Sequence, residues 1–342
     1  MRIGLVGYGT GGQHFHAPFI RAAKGVTLAG IVARAPKTIA KVRADYPDVP
    51  IYPNLTEMLT TGTVDAVTVT TPPHTRRELV LQAIAAGVHV IADKPFAPSA
   101  QVGRELQAAA TAQGVTLGVF HNRRYDTDIR TLRAVLDTGA LGKIWRVHSR
   151  MDMDDAATLE RGPTGGMLRD MGSHVVDQML WLFGPVTKVH AHLDIIDDPA
   201  GPTDAGFVVS MTHKNGVFSQ VSSSKVNHIA ENEYRVYAEH GAYLSRMRDV
   251  QAQAIFAGKR PVDDLAGWGY ETPDHWSELR IHGKVERVPS EQGRYHDYYE
   301  AFAKAVHTKA EPPVRVAQAI AVLQVLDGAR QSATQSCVVT LD

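Results

Sequence analysis

The chain has 342 residues, long enough for two domains, and 36 lysine and arginine residues balance 36 aspartate and glutamate residues, which argues against a nucleic-acid partner. The single cysteine, Cys337, excludes an internal disulfide and a thiolate metal cluster, and no uncharged apolar run reaches the roughly 18 to 20 residues of a membrane span. The N-terminus already has the pattern of a strand, so we expect a soluble, cytoplasmic protein without a membrane partner.

The first predicted element is a strand over 2–7, which leads directly into a glycine-rich loop. Gly7 can make the tight turn, Gly9 lets the backbone approach a pyrophosphate, and Gly12 lets the following helix pack closely on the strand. The helix N-terminus then binds the anion. Such a motif also occurs in ordinary turns, but its position between strand and helix favours a dinucleotide loop. The predicted cofactor-binding residues here are Gly7, Gly9, Thr10, Gly11 and Gly12.

The end of the second predicted strand, 27–33, indicates the type of cofactor. Enzymes that use NAD usually carry an acid about 20 residues after the glycines, where it binds the ribose 2′-hydroxyl. This chain has Ala33 and Arg34 there, with Lys37 nearby. A guanidinium can bind a 2′-phosphate, which a carboxylate would repel. We therefore predict NADP, with NAD as the alternative if these cations are only solvated surface charges.

Strands and helices alternate through the first third of the chain, which predicts a parallel sheet with crossover helices. Pro18, in Phe15-His16-Ala17-Pro18, should kink or break the first helix because it removes a backbone hydrogen bond. The predicted strands are 2–7, 27–33, 65–71, 88–92 and 115–120, with a short strand at Ile51 and helices over 36–46 and 75–86. These elements predict an N-terminal Rossmann dinucleotide-binding domain over 1–121.

Two polar segments follow predicted strands at their carboxyl ends, where ligands bind in open α/β sheets. The first is Thr70-Thr71-Pro72-Pro73-His74, and the second is Asp93-Lys94-Pro95. We expect Lys94 to point toward the nicotinamide ring, although a surface lysine at a turn is the alternative. The further predicted cofactor contacts are Thr70, Pro72, His74, Asp93 and Lys94.

After residue 121 the pattern changes to longer alternating stretches, which predict an α+β domain over 122–342 with a mostly antiparallel open sheet. Asn215-Gly216 and His240-Gly241 are expected to be hairpin turns. The segment 258–276 has the composition of a long irregular loop that lines a site. The predicted strands are 143–152, 186–196, 206–213, 217–226, 233–239, 242–246 and 279–288, and the predicted helices are 127–137, 293–307 and 315–334.

Asp170, His174 and Asp177 follow the spacing i, i+4 and i+7, so a helix would present all three on one face. This arrangement suits acid–base chemistry. The alternatives are an N-cap role for Asp170, a hydrogen-bonded core role for His174, and a divalent metal site. We expect no metal, because a nicotinamide enzyme with a lysine at its site needs no Lewis acid.

Together, these motifs resemble the Gfo/Idh/MocA oxidoreductase family over essentially the whole chain, and most closely its branch of NADP-dependent scyllo-inositol dehydrogenases. The matching segments are Gly7-Tyr8-Gly9 with Phe15-His16-Ala17-Pro18, Thr70-Thr71-Pro72 with His74, Asp93-Lys94-Pro95, His121-Asn122-Arg123-Arg124-Tyr125-Asp126, Asp170 to His174 with Asp177, and the loop from Asp263 to Gly269. The resemblance implies that Lys94, Asp170 and His174 are catalytic. The chain departs from the family in having Asp93 where a glutamate is usual.

The resemblance implies reversible hydride transfer between a secondary alcohol of a polyol or sugar and nicotinamide C4. His174 is the first candidate for the base that takes the alcohol proton, with Asp170 orienting it, and Lys94 can stabilise the alkoxide or take the proton itself. We expect these three residues to line one cleft between the domains. The expected substrate contacts are Arg123, Asp152, Asp154, Asp177 and Trp268.

The resemblance also implies a homo-oligomer formed through the open sheet of the second domain. Two other functions occur within the family. One is a cofactor-binding sensor that regulates transcription without turnover, and the other is a glycosidase that oxidises its substrate transiently with bound NAD. The presence of Lys94, Asp170 and His174 argues against a pure sensor.

Overall fold

The computed structural model describes residues 1–341, which form two compact units. The first unit comprises Met1–Tyr125, Gln251–Trp268 and Arg294–Ile320, and the second comprises the other described residues. The domain boundary after residue 121 stays a prediction. None of the helices in the described part of the chain is long and apolar enough to cross a membrane.

A parallel sheet of six strands forms the centre of the first unit. Its strands are β1 (Arg2–Val6), β2 (Thr27–Val32), β3 (Ile51–Tyr52), β4 (Ala66–Val69), β5 (His89–Asp93) and β6 (Leu117–Phe120). The spatial order is β3-β2-β1-β4-β5-β6, and all neighbouring pairs are parallel. The chain changes direction across the sheet between β1 and β4, the position where doubly wound sheets bind dinucleotides. The predicted Rossmann-type fold is confirmed.

The helices of the first unit include those predicted over 36–46, 75–86 and 293–307, each found within about three residues of its predicted bounds. They are α1 (Ala17–Ala22), α2 (Pro36–Asp45), α3 (Leu55–Thr60), α4 (Pro73–Ala85), α5 (Ala100–Gln113), α8 (Val250–Phe256) and α9 (His296–Thr308). Both α2 and α4 start at a proline, which lacks the N–H that a first helical turn leaves unbonded. Gly87 follows α4 with a φ of +72°, a conformation that ends a helix readily.

The break predicted at Pro18 is present. Residues Gly11–His16 form a π-helical turn, and the regular helix α1 begins at Ala17 with Pro18 in its first turn. The missing N–H of Pro18 therefore falls where a helix tolerates it. The glycine loop is thus followed by a wider turn that orients its side chains differently from an α-helix.

An open sheet of nine strands forms the second unit. Its strands are β7 (Ile144–Asp152), β8 (Val186–Ile196), β9 (Thr203–His213), β10 (Phe218–Ser224), β11 (Glu231–Ala238), β12 (Gly241–Ser245), β13 (Ser277–Ile281), β14 (Lys284–Val288) and β15 (Val339–Thr340). The order is β14-β13-β12-β11-β7-β10-β9-β8-β15, and only the β7–β10 pair is parallel among these described strands. The predicted mostly antiparallel sheet is confirmed.

One strand prediction was wrong, because 279–288 is two strands. A turn at His282-Gly283 separates β13 from β14, and both residues have positive φ values, +50° and +72°. The alternating pattern of the sequence continues through this tight turn, so the pattern alone did not reveal it. The predicted turn at Asn215-Gly216 does join β9 to β10, with Gly216 at φ +88°.

The remaining helices are α6 (Thr127–Asp137) and α7 (Met167–Phe183) of the second unit, and α10 (Val316–Gln335), whose first residues belong to the first unit and the rest to the second. Helix α7 buries one face against β9 and β10, where Val175 and Met179 share a core with Val209 and Val221. This packing fixes the helix that carries Asp170 and His174.

Candidate active site

The glycine loop has the geometry that a dinucleotide requires. Gly7 has a φ of +106°, which side-chain-bearing residues rarely adopt. A Cβ atom at Gly12 would lie 2.3 Å from the carbonyl oxygen of Gly7, so only glycine allows this close approach of turn and strand. A Cβ atom at Gly9 would meet nothing within 4 Å. The backbone at Gly9 therefore faces open space, and the loop fits a bound pyrophosphate.

Arg34 lies beside this loop at the end of β2. The backbone N–H of Gly7 is 3.4 Å from the carbonyl oxygen of Val32, two residues before Arg34. Both Arg34 and Lys37 are exposed, and neither has an ionic partner among residues 1–341. The first turn of α2 contains no acidic residue. Two cations at the positive end of a helix are unfavourable unless an anion joins them.

The ends of β4 and β5 meet at the glycine loop. Thr70 donates its hydroxyl to Oδ2 of Asp93 at 2.9 Å. A Cβ atom at Gly11 would lie 2.6 Å from the Thr70 hydroxyl and 3.3 Å from Asp93 Oδ2. The backbone N–H of Lys94 donates to Asp93 Oδ1 at 2.8 Å. Of the residues predicted to bind cofactor, Gly11, Thr70, Asp93 and Lys94 therefore lie together, whereas Pro72 and His74 are exposed at the start of α4.

Arg76, which the sequence did not single out, connects these strand ends. Its buried guanidinium donates to the carbonyl oxygens of Thr71 and Asp93, each at 2.7 Å, and to that of Pro95 at 2.5 Å. Three backbone acceptors thus bind one buried cation and hold the loop that carries Lys94. No local pattern in the helix marked this arginine, because its three acceptors come from two different strand ends.

Asp93 is held as a carboxylate. Burial alone would raise its pKa, but the neighbouring His16, Arg76 and Lys94 outweigh that cost and hold the pKa of Asp93 well below its ordinary value. His16 Nε2 lies 3.3 Å from Asp93 Oδ2. The side chain of Asp93 therefore links the glycine-loop helix, Thr70 and the lysine loop.

Helix α7 presents the second group of predicted residues. The carboxylate of Asp204 on β9 caps the N-terminus of this helix, where its Oδ2 accepts the backbone N–H of Leu168 at 2.6 Å. Asp170 lies inside the helix, so the alternative that it is the N-cap was wrong. A Cβ atom at Gly166 would lie 2.1 Å from Asp204 Oδ1. Asp170, His174 and Asp177 all lie within this helix; the Asp170 side chain is 25% exposed, whereas His174 and Asp177 are buried.

Asp170 has a buried cationic partner that the sequence analysis missed. Lys225, which directly follows β10, places Nζ 3.0 Å from Asp170 Oδ2 and 3.1 Å from the carbonyl oxygen of Thr158. The Lys225 side chain is only 5% exposed. Its position continues the inward alternation of Val221 and Ser223 along β10, and a lysine at an inward position is a signal that could have been found.

The predicted substrate contacts lie in different environments. Arg123 is buried in a 3₁₀ turn after β6, and Asp152 ends β7, where it accepts the backbone N–H of Ser224 at 3.0 Å. Burial raises the pKa of Asp152. Asp154 is exposed, with Oδ1 3.3 Å from His228 Nδ1. Trp268 is buried in the first unit, where its indole N–H donates to Gln251 Oε1 at 3.1 Å.

One group near the start of α9 has the composition of a metal site. Ligand atoms of His296, Asp297 and Glu300 lie within 4.8 Å of one another. Both oxygens of Asp297 accept from Arg294 Nε, at 2.9 and 2.8 Å, and Glu300 accepts the backbone N–H of Lys24 at 2.9 Å. These contacts account for the two carboxylates, so the group carries no metal assignment.

Comparison with known proteins identifies the family. Residues 1–121 match the sequence model of the GFO/IDH/MocA oxidoreductase family with its NAD-binding Rossmann fold, and residues 129–244 match the GFO/IDH/MocA C-terminal domain. The chain belongs to the Gfo/Idh/MocA oxidoreductase family. The resemblance inferred from the motifs is confirmed, and the NAD-binding fold agrees with the glycine loop described above.

Relatives match over the full length of this Gfo/Idh/MocA protein. The scyllo-inositol 2-dehydrogenase (NADP(+)) IolW of Bacillus subtilis (strain 168) is 28% identical over 100% of this chain and 96% of its own. The uncharacterized oxidoreductase YdgJ of Escherichia coli (strain K12) is 31% identical over 100% of this chain and 99% of its own. The solved structure of the oxidoreductase YvaA from Bacillus subtilis superposes with a TM-score of 0.91 at 28% identity, covering 100% of this chain and 99% of that one.

Proposed function

We propose that this protein is an NADP(H)-dependent dehydrogenase that transfers a hydride between nicotinamide C4 and a secondary alcohol or ketone carbon of a neutral polyol or sugar. The observation that carries this proposal is the close approach of the lysine loop to the glycine loop, where a Cβ atom added at Gly11 would lie only 3.3 Å from Asp93 Oδ2. Lys94 is the residue after Asp93, so a cation belongs to the loop that lies beside the predicted phosphate-binding segment.

The preference for NADP rests on Arg34 and Lys37. Two exposed cations without an ionic partner in residues 1–341 stand at the N-terminus of α2, close to the glycine loop. A 2′-phosphate there would accept charged hydrogen bonds from the guanidinium. The name of IolW, which specifies NADP(+), supports the same preference.

The bound cofactor would supply or accept the hydride, and the residues of the chain would handle the proton. Oxidation of an alcohol requires a base at its hydroxyl. We propose His174 as this base, with Asp170 as the residue that orients it or holds a neighbouring hydroxyl. We propose that the Lys94 ammonium stabilises negative charge on the same oxygen. Lys225 holds the Asp170 carboxylate in place through the 3.0 Å contact.

The substrate class follows from the acidic residues proposed to contact it. Asp152, Asp154, Asp170 and Asp177 would accept hydrogen bonds from hydroxyl groups but would repel a phosphate or carboxylate. A neutral polyhydroxylated compound, such as an inositol, its ketone or an aldose, therefore suits them. The name of IolW, a scyllo-inositol dehydrogenase, is in line with this class.

The test combines cofactor titration with a turnover screen. NADPH and NADH are titrated by fluorescence into the parent, into Arg34→Ala and into Arg43→Ala, an exposed arginine in the last turn of α2 that serves as the control. One lost charged hydrogen bond corresponds to roughly 1.5 to 3 kcal/mol, or about tenfold to a hundredfold in affinity. We expect that loss only for NADPH and only in Arg34→Ala. Tighter binding of NADH to the parent would contradict the cofactor assignment.

The screen measures formation of reduced nicotinamide with inositols, aldoses, ketoses, phosphorylated sugars and 2-hydroxy acids, each with NADP⁺ and NAD⁺. We expect turnover with neutral polyols or sugars. Turnover confined to phosphorylated sugars or 2-hydroxy acids would overturn the substrate class. Cleavage of a glycoside without net reduction of cofactor would indicate the glycosidase instead. Binding of cofactor without any turnover would indicate the sensor.

A further inference from the structure

The segment Phe15-His16-Ala17-Pro18 has no role in the function proposed above, yet the structure gives His16 specific partners. His16 is fully buried at the end of the π-helical turn that precedes α1. The wider π turn directs its ring to the inside of the first unit, where the ring packs on Phe120 with centroids 4.3 Å apart. A buried imidazole needs polar partners at both nitrogens or it is costly.

Each ring nitrogen of His16 faces one polar group. Nδ1 lies 2.6 Å from the hydroxyl of Tyr299 on α9, and Nε2 lies 3.3 Å from Oδ2 of Asp93. The contact with Asp93 is within ion-pair distance but is not an aligned hydrogen bond. Tyr299 is fully buried, and burial raises its pKa well above the ordinary value, so its hydroxyl keeps its proton.

These contacts favour one position for the proton of His16. The Tyr299 hydroxyl can donate to Nδ1 of a neutral ring, which places the ring proton on Nε2, facing Asp93. If the ring is doubly protonated, Nε2 also carries a proton. The alternative neutral form, with the proton on Nδ1, would turn a lone pair of Nε2 toward a carboxylate and would be repelled.

We propose that His16 and Tyr299 are positioning residues that orient the Asp93 carboxylate and, through it, Lys94. Asp93 uses Oδ1 for the backbone N–H of Lys94 and Oδ2 for the Thr70 hydroxyl, so rotation of this carboxylate would disturb both strand ends. A proton on His16 Nε2 opposes that rotation. The effect on Lys94 rests on the proposed dehydrogenase function, whereas the direction of the His16 proton does not.

The first test needs no turnover. The protein is labelled with [¹⁵N]histidine, and two-bond ¹⁵N–¹H correlation spectra are recorded at pH 7 without cofactor, with the His16 signals assigned by their loss in His16→Gln. We expect a protonated Nε2, and a changed His16 pattern in Asp93→Asn and in Tyr299→Phe. A neutral ring with its proton on Nδ1, or a pattern unchanged in Asp93→Asn, would overturn the proposal.

The second test compares two neighbouring buried tyrosines on α9. Tyr299→Phe removes the hydroxyl at His16, whereas Tyr298→Phe removes an equally buried hydroxyl that has no hydrogen-bond partner within residues 1–341. Loss of one neutral hydrogen bond corresponds to roughly a 2- to 10-fold change, so we expect kcat to fall by about that factor in Tyr299→Phe alone. The Kd for NADPH and the KM should stay within about 2-fold in both variants.

Two further comparisons distinguish positioning from a general loss of stability. His16→Gln keeps a nitrogen donor near the place of Nε2, so it should retain more kcat than His16→Leu. In His16→Leu the reacting group is displaced, which lowers kcat by up to about 100-fold. The Tyr299→Phe effect should vanish in an Asp93→Asn background. An undiminished loss of kcat from Tyr299→Phe in the Asp93→Asn background would refute the positioning role of His16 and Tyr299. Equal kcat in Tyr299→Phe and Tyr298→Phe would refute it as well. If the parent reduces no nicotinamide with any polyol, the proposed function fails, and the spectra alone decide the direction of the His16 proton.

Discussion

The pairing of Lys225 with Asp170 leads to an asymmetric prediction for stability. The Lys225 side chain is 5% exposed and the Asp170 side chain is 25% exposed, with Nζ and Oδ2 3.0 Å apart. Removing one partner of a buried ion pair costs about 3 to 5 kcal/mol, because the other charge is left buried and unpaired. The free energy of unfolding should therefore fall more when the more deeply buried charge is the one left without its partner.

We therefore expect Asp170→Ala to lower the free energy of unfolding by about 3 to 5 kcal/mol, because it leaves the buried ammonium of Lys225 without its carboxylate partner. Lys225→Met should cost less, about 1 to 3 kcal/mol, because water can reach the partly exposed carboxylate and replace part of the lost contact. The control is Lys188→Met, an exposed lysine on β8, which should lie within about 0.5 kcal/mol of the parent.

The assay is urea unfolding of the apo protein at pH 7, followed by circular dichroism, with midpoints compared at unchanged slope. The double variant Asp170→Ala with Lys225→Met should be more stable than the sum of the single effects predicts, with a coupling of roughly 0.5 to 3 kcal/mol. Additive effects, or a larger loss in Lys225→Met than in Asp170→Ala, would refute the reasoning from burial.

The other predictions concern catalysis and pH. Lys94→Ala should fold and bind NADPH but lose about a hundredfold to ten-thousandfold in kcat, a result that near-normal turnover would contradict. His174 is 6% exposed, so His174→Asn is the better probe than an alanine that leaves a cavity; it should show a similar loss with little change in melting temperature. Burial lowers the pKa of His213 below its ordinary 6.5, so as pH falls through 6.5 the unfolded state takes up the proton first and stability is lost. The urea midpoint should fall less between pH 7.5 and 5 in His213→Gln than in the parent. An equal fall in both proteins would contradict the lowered pKa of His213.

Local geometry explains why the glycine loop of the first unit could be predicted. The turn at Gly7 and the approach of Gly12 depend on residues a few positions apart, so the spacing of the glycines carries the information. The parallel sheet followed in the same way from alternating strands and helices. The hairpin at His282-Gly283 was missed because the alternation of β13 continues into β14 across a two-residue turn.

The polar contacts that hold the candidate site could not be predicted, because their partners are distant in sequence. His16 and Tyr299 are 283 positions apart, and Lys225 and Asp170 are 55 apart. Arg76 binds backbone carbonyl oxygens, and every residue has one, so the identity of its partners could not indicate these contacts. Motif spacing identified the residues of helix α7, but only the folded chain shows that Asp204 caps this helix and that Lys225 pairs with Asp170.

Isotope transfer tests the proposed direct hydride transfer from a polyol carbon to NADP⁺. An inositol or aldose that the protein oxidises is prepared with deuterium on its alcohol carbons and incubated with the parent and NADP⁺, and the reduced cofactor is analysed by mass spectrometry. We predict that each molecule of reduced cofactor carries one deuterium from the substrate. Reduced cofactor without deuterium, or consumption of substrate without any reduced cofactor, would contradict direct hydride transfer.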